Sequence, residues 1–434
     1  MTSPAEALAA LRDDERARGR IGVPERRRLL SALARALVAR ADAIARAADA
    51  DYGGRAEGDT LLADVLVTVQ AARRARRMVG WWARPRWVWA PPPFQPCLAW
   101  TEWVPKGVVG VMAPWNYPVQ LLLWPALEAV AAGNRVALKP SERTPRTAAL
   151  VEAVVAEAWG PGVCRVVQGD AAVAEDFAAQ PWDHLVFTGG TETGRKVAEV
   201  AGRGLVPTTL ELGGQCAAIV LPGADLDAAA KAILIGKAVN AGQTCVAPDT
   251  ALLVGHARGD FAAALARAGV ASPTRVVPWA RAAQDAQAAE ATPLPGEGVT
   301  PLLLGGDSGR ERFGPVLGAV ECADADAAIA WLRARPPALA VYLFGGTRAD
   351  EARIAASVRA GSIARGRALE HVAFPALPFG GVGASGWGRY HGRAGFESFS
   401  DLRARVRHGP FALSRLLDPP RGARAAALAR RLVR

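Results

Sequence analysis

The chain has 434 residues, enough for two or three domains that each bury a core. It is 51% hydrophobic and carries a formal charge of +11, and no apolar run reaches the roughly 20 residues a membrane-spanning helix needs. Five scattered cysteines without paired metal spacing argue against a disulfide framework or a metal site, and they read as reduced thiols in the cytoplasm.

Residues 4–50 are rich in Ala, Leu and Arg, with Leu29, Leu30, Leu33, Leu37 and Ile44 at three-to-four spacing, which predicts two amphipathic helices. A third helix is expected over about 60–78, after which Pro85 and Pro91-Pro92-Pro93 close the helical region. The arginine runs Glu25-Arg26-Arg27-Arg28 and Arg73-Arg74-Ala75-Arg76-Arg77 fall in these patterns and read as solvated helix faces, not as a nucleic-acid surface. Residues 97–104 are short, aromatic and bounded by Pro and Gly, so a strand or hairpin is expected there.

From Gly107 the pattern becomes strand, loop, helix, repeated. Strands are predicted at 108–112, 135–138, 163–167 and 185–187, with helices over 119–132 and 145–159 and another after residue 190. Such alternation implies a parallel sheet covered on both faces, with ligands at the carboxyl ends of its strands. The loop Gly189-Gly190-Thr191-Glu192-Thr193-Gly194 lets backbone approach a phosphate beside a helix N-terminus, although its spacing is not the usual dinucleotide fingerprint.

Further on, Val239-Asn240-Ala241-Gly242-Gln243-Thr244-Cys245 sets a cysteine after a small-residue turn, downstream of Leu210-Glu211-Leu212-Gly213-Gly214. A thiol and a lone carboxylate on facing loops can serve as nucleophile and water-activating base. An arbitrary cysteine is more often a small buried core residue. Asn240, Gln243 and Thr244 are poor company for a packed hydrophobe, however. Residues 270–300 show no clear period, and 411–434 read as a tail ending in a short basic Ala-rich helix.

Seven motifs then stand in one order. Pro114-Trp115-Asn116-Tyr117-Pro118, Leu138-Lys139-Pro140-Ser141-Glu142, Phe187-Thr188-Gly189-Gly190-Thr191-Glu192-Thr193-Gly194, Leu210-Glu211-Leu212-Gly213-Gly214, Gly242-Gln243-Thr244-Cys245, Glu311-Arg312-Phe313-Gly314-Pro315 and Pro378-Phe379-Gly380-Gly381-Val382-Gly383 together resemble the aldehyde dehydrogenase superfamily over nearly the whole chain. Cys245-Val246-Ala247-Pro248-Asp249 and Tyr390-His391-Gly392 look like its class 3 branch. The run Asp51-Tyr52-Gly53-Gly54-Arg55 with Leu61-Leu62-Ala63-Asp64-Val65 is similar to the coniferyl aldehyde dehydrogenases within it.

The resemblance implies an α/β fold with a Rossmann-type NAD(P)-binding domain (1–93 and 107–213), an α/β catalytic domain (214–385, shortened around 255–305) and a small β oligomerisation arm (94–106 and 386–410) that makes a homodimer. It implies Cys245 as nucleophile with a lowered pKa, Asn116 as oxyanion donor and Glu211 as base. It places Lys139 and Glu142 on the adenosine ribose, Gly189, Gly190, Thr191 and Gly194 by the pyrophosphate, and Glu311 and Phe313 on the nicotinamide end. The carboxylate of Glu142 favours NAD over NADP, no metal is expected, and Trp115, Tyr117 and Trp124 near the aldehyde channel favour an aromatic or long apolar aldehyde. The competing reading is an NAD-binding scaffold that has lost turnover. It is raised by the shortened stretch, by Gln215-Cys216-Ala217 after the glycine pair, and by Ala364-Arg365-Gly366-Arg367 where a threonine and an Asn-Asp pair are common.

Overall fold

A computed structural model describes residues 2–409, 411, 415, 419 and 422–433. Five parallel strands, largely buried except at the half-buried edge Cys164–Val166, form the first sheet in the order Thr208–Leu212, His184–Gly189, Val108–Met112, Arg135–Lys139, Cys164–Val166, with the short antiparallel strand Gly386–Trp387 on its other edge. The chain starts in the middle, builds outward to one side, then returns to build the other. The order therefore reverses between Val108–Met112 and His184–Gly189, and a crevice opens beyond the carboxyl ends of those two strands. Residues 114–116 and 189–190 stand at that point.

The chain leaves this sheet at Leu212 and enters a second one at Ala217–Val220. Seven strands make up the second sheet, six of them parallel, from Thr292–Pro293 at one edge through Val316–Cys322, Thr250–Val254 and Ala217–Val220 to Ala360–Arg365 at the other. Cys245 and Glu311 each precede one of its strands. The carboxyl ends of the first sheet thus meet the amino ends of the second, and the site lies in the seam. A third, antiparallel sheet of Arg86–Val88, Cys97–Pro105 and Ser400–His408 stands apart, its residues half-exposed or exposed save the buried Ser400.

The N-terminal region differs from the sequence expectation. Three helices replace two, Pro4–Arg18, Val23–Ala39 and Ala41–Tyr52. Gly19 ends the first at φ +70°, and Gly22 with Pro24 starts the second. The next helical stretch runs from Glu57 to Trp82 and includes a π-helical segment, Leu61–Leu66. Strand Arg86–Val88, which pairs with the arm strand Cys97–Pro105, and helix Ala171–Ala179 were both unanticipated from sequence. The basic tail shows a helix at Ala423–Val433, while 410, 412–414, 416–418 and 420–421 of the arm and tail lie outside the described residues. Among the described residues no helix is long and apolar enough to cross a membrane.

Candidate active site

Two cavities meet at Cys245. One, of about 270 Å³, is walled mainly by apolar side chains including Leu62, Tyr117, Ile235, Val246, Leu369 and Phe379. The other, of about 290 Å³, is lined by Trp115, Asn116, Glu211, Glu311 and Phe313. Cys245 borders both. Past Thr188, Gly189 and Gly190, which line this second cavity too, a groove of about 690 Å³ runs along the first sheet to Lys139 and Glu142.

The loop that carries Cys245 is conformationally unusual. Asn240, Ala241 and Gly242 all take positive φ (53°, 53° and 73°), which is unfavourable for residues with a Cβ. Neighbouring groups hold them there. The Asn240 amide donates to the carbonyls of Asn116 (3.0 Å) and Gln243 (3.2 Å), and Ala241 N–H donates to Ser272 Oγ at 3.1 Å. At Gly242 a Cβ would lie 2.1 Å from the Gly314 carbonyl, so only glycine lets this loop rest on the 311–315 loop. Asn116, 3% exposed, donates from its side-chain amide to Gln243 O at 3.1 Å, while Tyr117 OH and Thr244 Oγ1 are 2.6 Å apart.

Glu211, next to last in its strand, is fully buried, and neither carboxyl oxygen has a hydrogen-bond partner of normal geometry. Burial holds its pKa well above the usual carboxylate value, with Arg389 and the Gly381 N–H offsetting only part of that cost. Burial also raises Glu311 to about 7. Gly213 gives this carboxyl its room, since a Cβ there would sit 2.1 Å from Glu311 Oε2. Burial, then the nearby Glu311 and Glu211, push the Cys245 thiol up to about 12. The expected lowering drew on a helix terminus and the cationic nicotinamide; the chain's own groups act the other way, through burial and two carboxyl groups, with no cation of the chain among the main causes. Lys237 lies fully buried beneath the loop, its Nζ donating to Arg312 O at 3.2 Å, and burial lowers it to about 8.

The cofactor-side residues divide. Lys139, Glu142, Gly189 and Gly190 line the long groove, with Lys139 Nζ 3.8 Å from Glu142. Space beside Gly190 is open, with no atom within 4 Å of a built Cβ. Thr191 instead borders a smaller cavity with Gly213 and Glu311. Gly194 reaches none of these cavities. The helix begins at Thr191, so Gly194 falls in its first turn, where a Cβ would meet Leu212 Cδ2 at 2.4 Å, and it serves close helix–strand packing. Trp124, expected near the channel, is core, stacked on His391 with ring centroids 3.6 Å apart. Trp115 borders the cofactor side, edge-on to Phe313 and Trp279. Of the expected aromatics only Tyr117 lines the apolar cavity.

A set that sequence reasoning gave no role stands behind Asn116: the buried Tyr52, Arg55 and Asp64, with the half-buried Asp59 beside them. The available signal was Asp64, an acid inside the otherwise apolar run Leu61-Leu62-Ala63-Asp64-Val65-Leu66. An uncompensated carboxylate there requires a buried partner.

A parallel sheet with a groove at its reversal point, joined to a second α/β unit that presents a thiol at the groove's end, defines a dinucleotide-linked oxidoreductase with a cysteine at its centre. The chain belongs to the aldehyde dehydrogenase family, whose model matches residues 4–276 and 308–404. It is 36% identical over 408 residues to the coniferyl aldehyde dehydrogenase of Pseudomonas sp. strain HR199, covering 86% of this chain and 84% of that protein. It is 31% identical to the 4,4'-diaponeurosporen-aldehyde dehydrogenase of Staphylococcus aureus, covering 81% and 83%. Staphylococcus aureus AldH, solved in a substrate-bound state, superposes over the full length of both chains with a TM-score of 0.93 at 28% identity. The fold expectation is thereby borne out, and the protein is an NAD(P)-dependent enzyme that oxidises aldehydes to acids. The unmatched residues 277–307 largely overlap the stretches that looked shortened (around 255–305) and aperiodic (270–300).

Proposed function

We propose that the enzyme oxidises an apolar aldehyde, aromatic like coniferyl aldehyde or long-chain, with Cys245 as nucleophile. The observation that carries this is the position of Cys245 as the common wall of an apolar cavity and a groove suited to a dinucleotide. Lys139 and Glu142 would hold the adenosine ribose, Gly189 and Gly190 the pyrophosphate, and Glu311 and Phe313 the nicotinamide end. The groove fits such a group: it is open beside Gly190 and runs unbroken to the thiol's cavity. Bound there, NAD(P) would accept a hydride.

The residues of the chain do the rest. Cys245, as its thiolate, adds through Sγ to the carbonyl carbon and the C=O electron pair moves to oxygen, where the Asn116 amide and the Cys245 N–H stabilise the negative charge. Loss of hydride leaves a thioester on Cys245. Glu211 takes a proton from water as the water attacks that thioester, and the carbon–sulfur bond breaks to release the acid and the thiolate.

Glu142, ion-paired with Lys139, disfavours the extra phosphate of NADP, so NAD is the preferred coenzyme. The domain limits given above, a homodimer through the exposed three-stranded sheet, and a cytoplasmic site consistent with five free thiols complete this reading. The test is NADH formation from cinnamaldehyde and hexanal by wild type and Cys245→Ala. The variant is expected to bind NAD and form no NADH. Turnover equal to wild type would overturn the assignment, and wild type that binds NAD without forming NADH would favour the scaffold reading.

A further inference from the structure

We propose that Tyr52 and the buried Arg55–Asp64 pair are positioning residues that aim Asn116 at the reacting carbonyl oxygen. The inference rests on the reading of Asn116 as oxyanion donor. Three donors converge on the main-chain carbonyl of Asn116: Tyr52 OH at 2.7 Å, Arg55 Nη1 at 3.0 Å and Asn240 Nδ2 at 3.0 Å. A carbonyl has two lone pairs, so this group is held more firmly than satisfaction alone requires. Arg55 Nη2 donates to Asp64 at 3.0 Å, with both side chains at 0% exposure. The other oxygen of Asp64 accepts the N–H groups of Val119 (3.2 Å) and Gln120 (2.7 Å). One buried ion pair therefore grips the 116–120 loop at both ends.

The same segment also holds the nucleophile. Asp59 Oδ2 accepts the Asn240 N–H at 3.1 Å, and Asn240 bridges the carbonyls of Asn116 and Gln243. Donor and thiol loop are thus fixed to one N-terminal element. Two features favour positioning over plain stability. Buried ion pairs are weak stabilisers, because apolar residues of similar volume often do as well. Asp64 also sits in the π-helical turn Leu61–Leu66, an irregularity that concentrates at functional sites.

The test is a double-mutant cycle in kcat with cinnamaldehyde and NAD. Tyr52→Phe removes one hydrogen-bond donor with little change of shape. It is expected to lower kcat about tenfold, to leave KM for NAD unchanged, and to have no further effect in an Asn116→Ala background. Arg55→Lys keeps the charge against Asp64 but loses the forked contact, and should show the same dependence on Asn116. NAD affinity by tryptophan quenching, equal to wild type in each variant, reports that the groove is intact. An unchanged kcat in Tyr52→Phe, or the same fold-loss with and without Asn116, overturns the proposal. An unchanged kcat in Asn116→Ala instead sinks the donor assignment on which it stands.

Discussion

Cys245 is surrounded by acid, and that decides how the enzyme answers to pH. The thiol sits high, at about 12, and Glu211 lies well above the ordinary carboxylate value. The working forms of both are deprotonated, so kcat/KM for the aldehyde should climb as pH rises from about 6 to about 9. A profile that fell over that range would contradict these roles. Glu211→Gln keeps size and polarity but takes no proton. It should retain a burst of about one NADH per site and then slow at least a hundredfold, as the thioester accumulates; full steady-state turnover would assign the base elsewhere. Glu142→Ser should raise the NADP-to-NAD ratio of kcat/KM about tenfold. Glu211 and Glu142 were legible because each lies at or just past the end of a strand, and Cys245 because it follows a small-residue turn, all three within an ordered set of motifs. The thiol's high pKa was not, since it depends on how far Glu311 and Glu211 reach in space.

Elements show where periodicity suffices and where it fails. The strands at 108–112, 135–138, 163–167 and 185–187 announce themselves as short apolar runs, while Thr208–Leu212, with its polar Thr208, Thr209 and Glu211, did not. Residues 270–300 were opaque because polar links to the Cys245 loop, to Asp59 and among themselves hold them more than a periodic apolar face does. Gln243 accepts the Val277 N–H at 3.0 Å, Thr274 hydrogen-bonds Asp59, and Thr300 donates to the Thr274 carbonyl at 2.8 Å. Gly194 reads as a loop residue in sequence because a helix N-terminus and a loop share the same small residues. Gly242→Ala should test the loop contact directly. With a Cβ 2.1 Å from Gly314 O at φ +73°, it should cost activity without changing NAD binding at the adenosine end, as kcat and quenching would record. Helix Gln120–Ala132 carries another buried acid, Glu128, whose Oε1 accepts the Gly392 N–H at 2.8 Å and whose pKa burial raises to about 8. The folded state holds this proton more tightly than the unfolded one. Its stabilising contribution is complete below about pH 4.5 and is lost as pH rises through about 8. Glu128→Gln should flatten the fall in Tm over that window, and a fall as steep as wild type would refute the linkage.

At the scale of the molecule, the exposed sheet is the feature that one protomer does not explain. Ser400–His408 is an outer strand with Leu402 and Val406 more than half exposed, the kind of edge that invites pairing. Val406→Pro removes a strand N–H and should shift the protein from dimer to monomer in sedimentation; a monomeric wild type would dismiss the arm's role. The thiol between two separate mouths has a kinetic consequence. On the proposed assignment aldehyde and coenzyme come in by different doors, so reduced coenzyme should obstruct oxidised coenzyme competitively yet leave the aldehyde's route clear, inhibiting it only in a noncompetitive pattern. The carboxylate product can then depart past Tyr117 while the dinucleotide is still in residence.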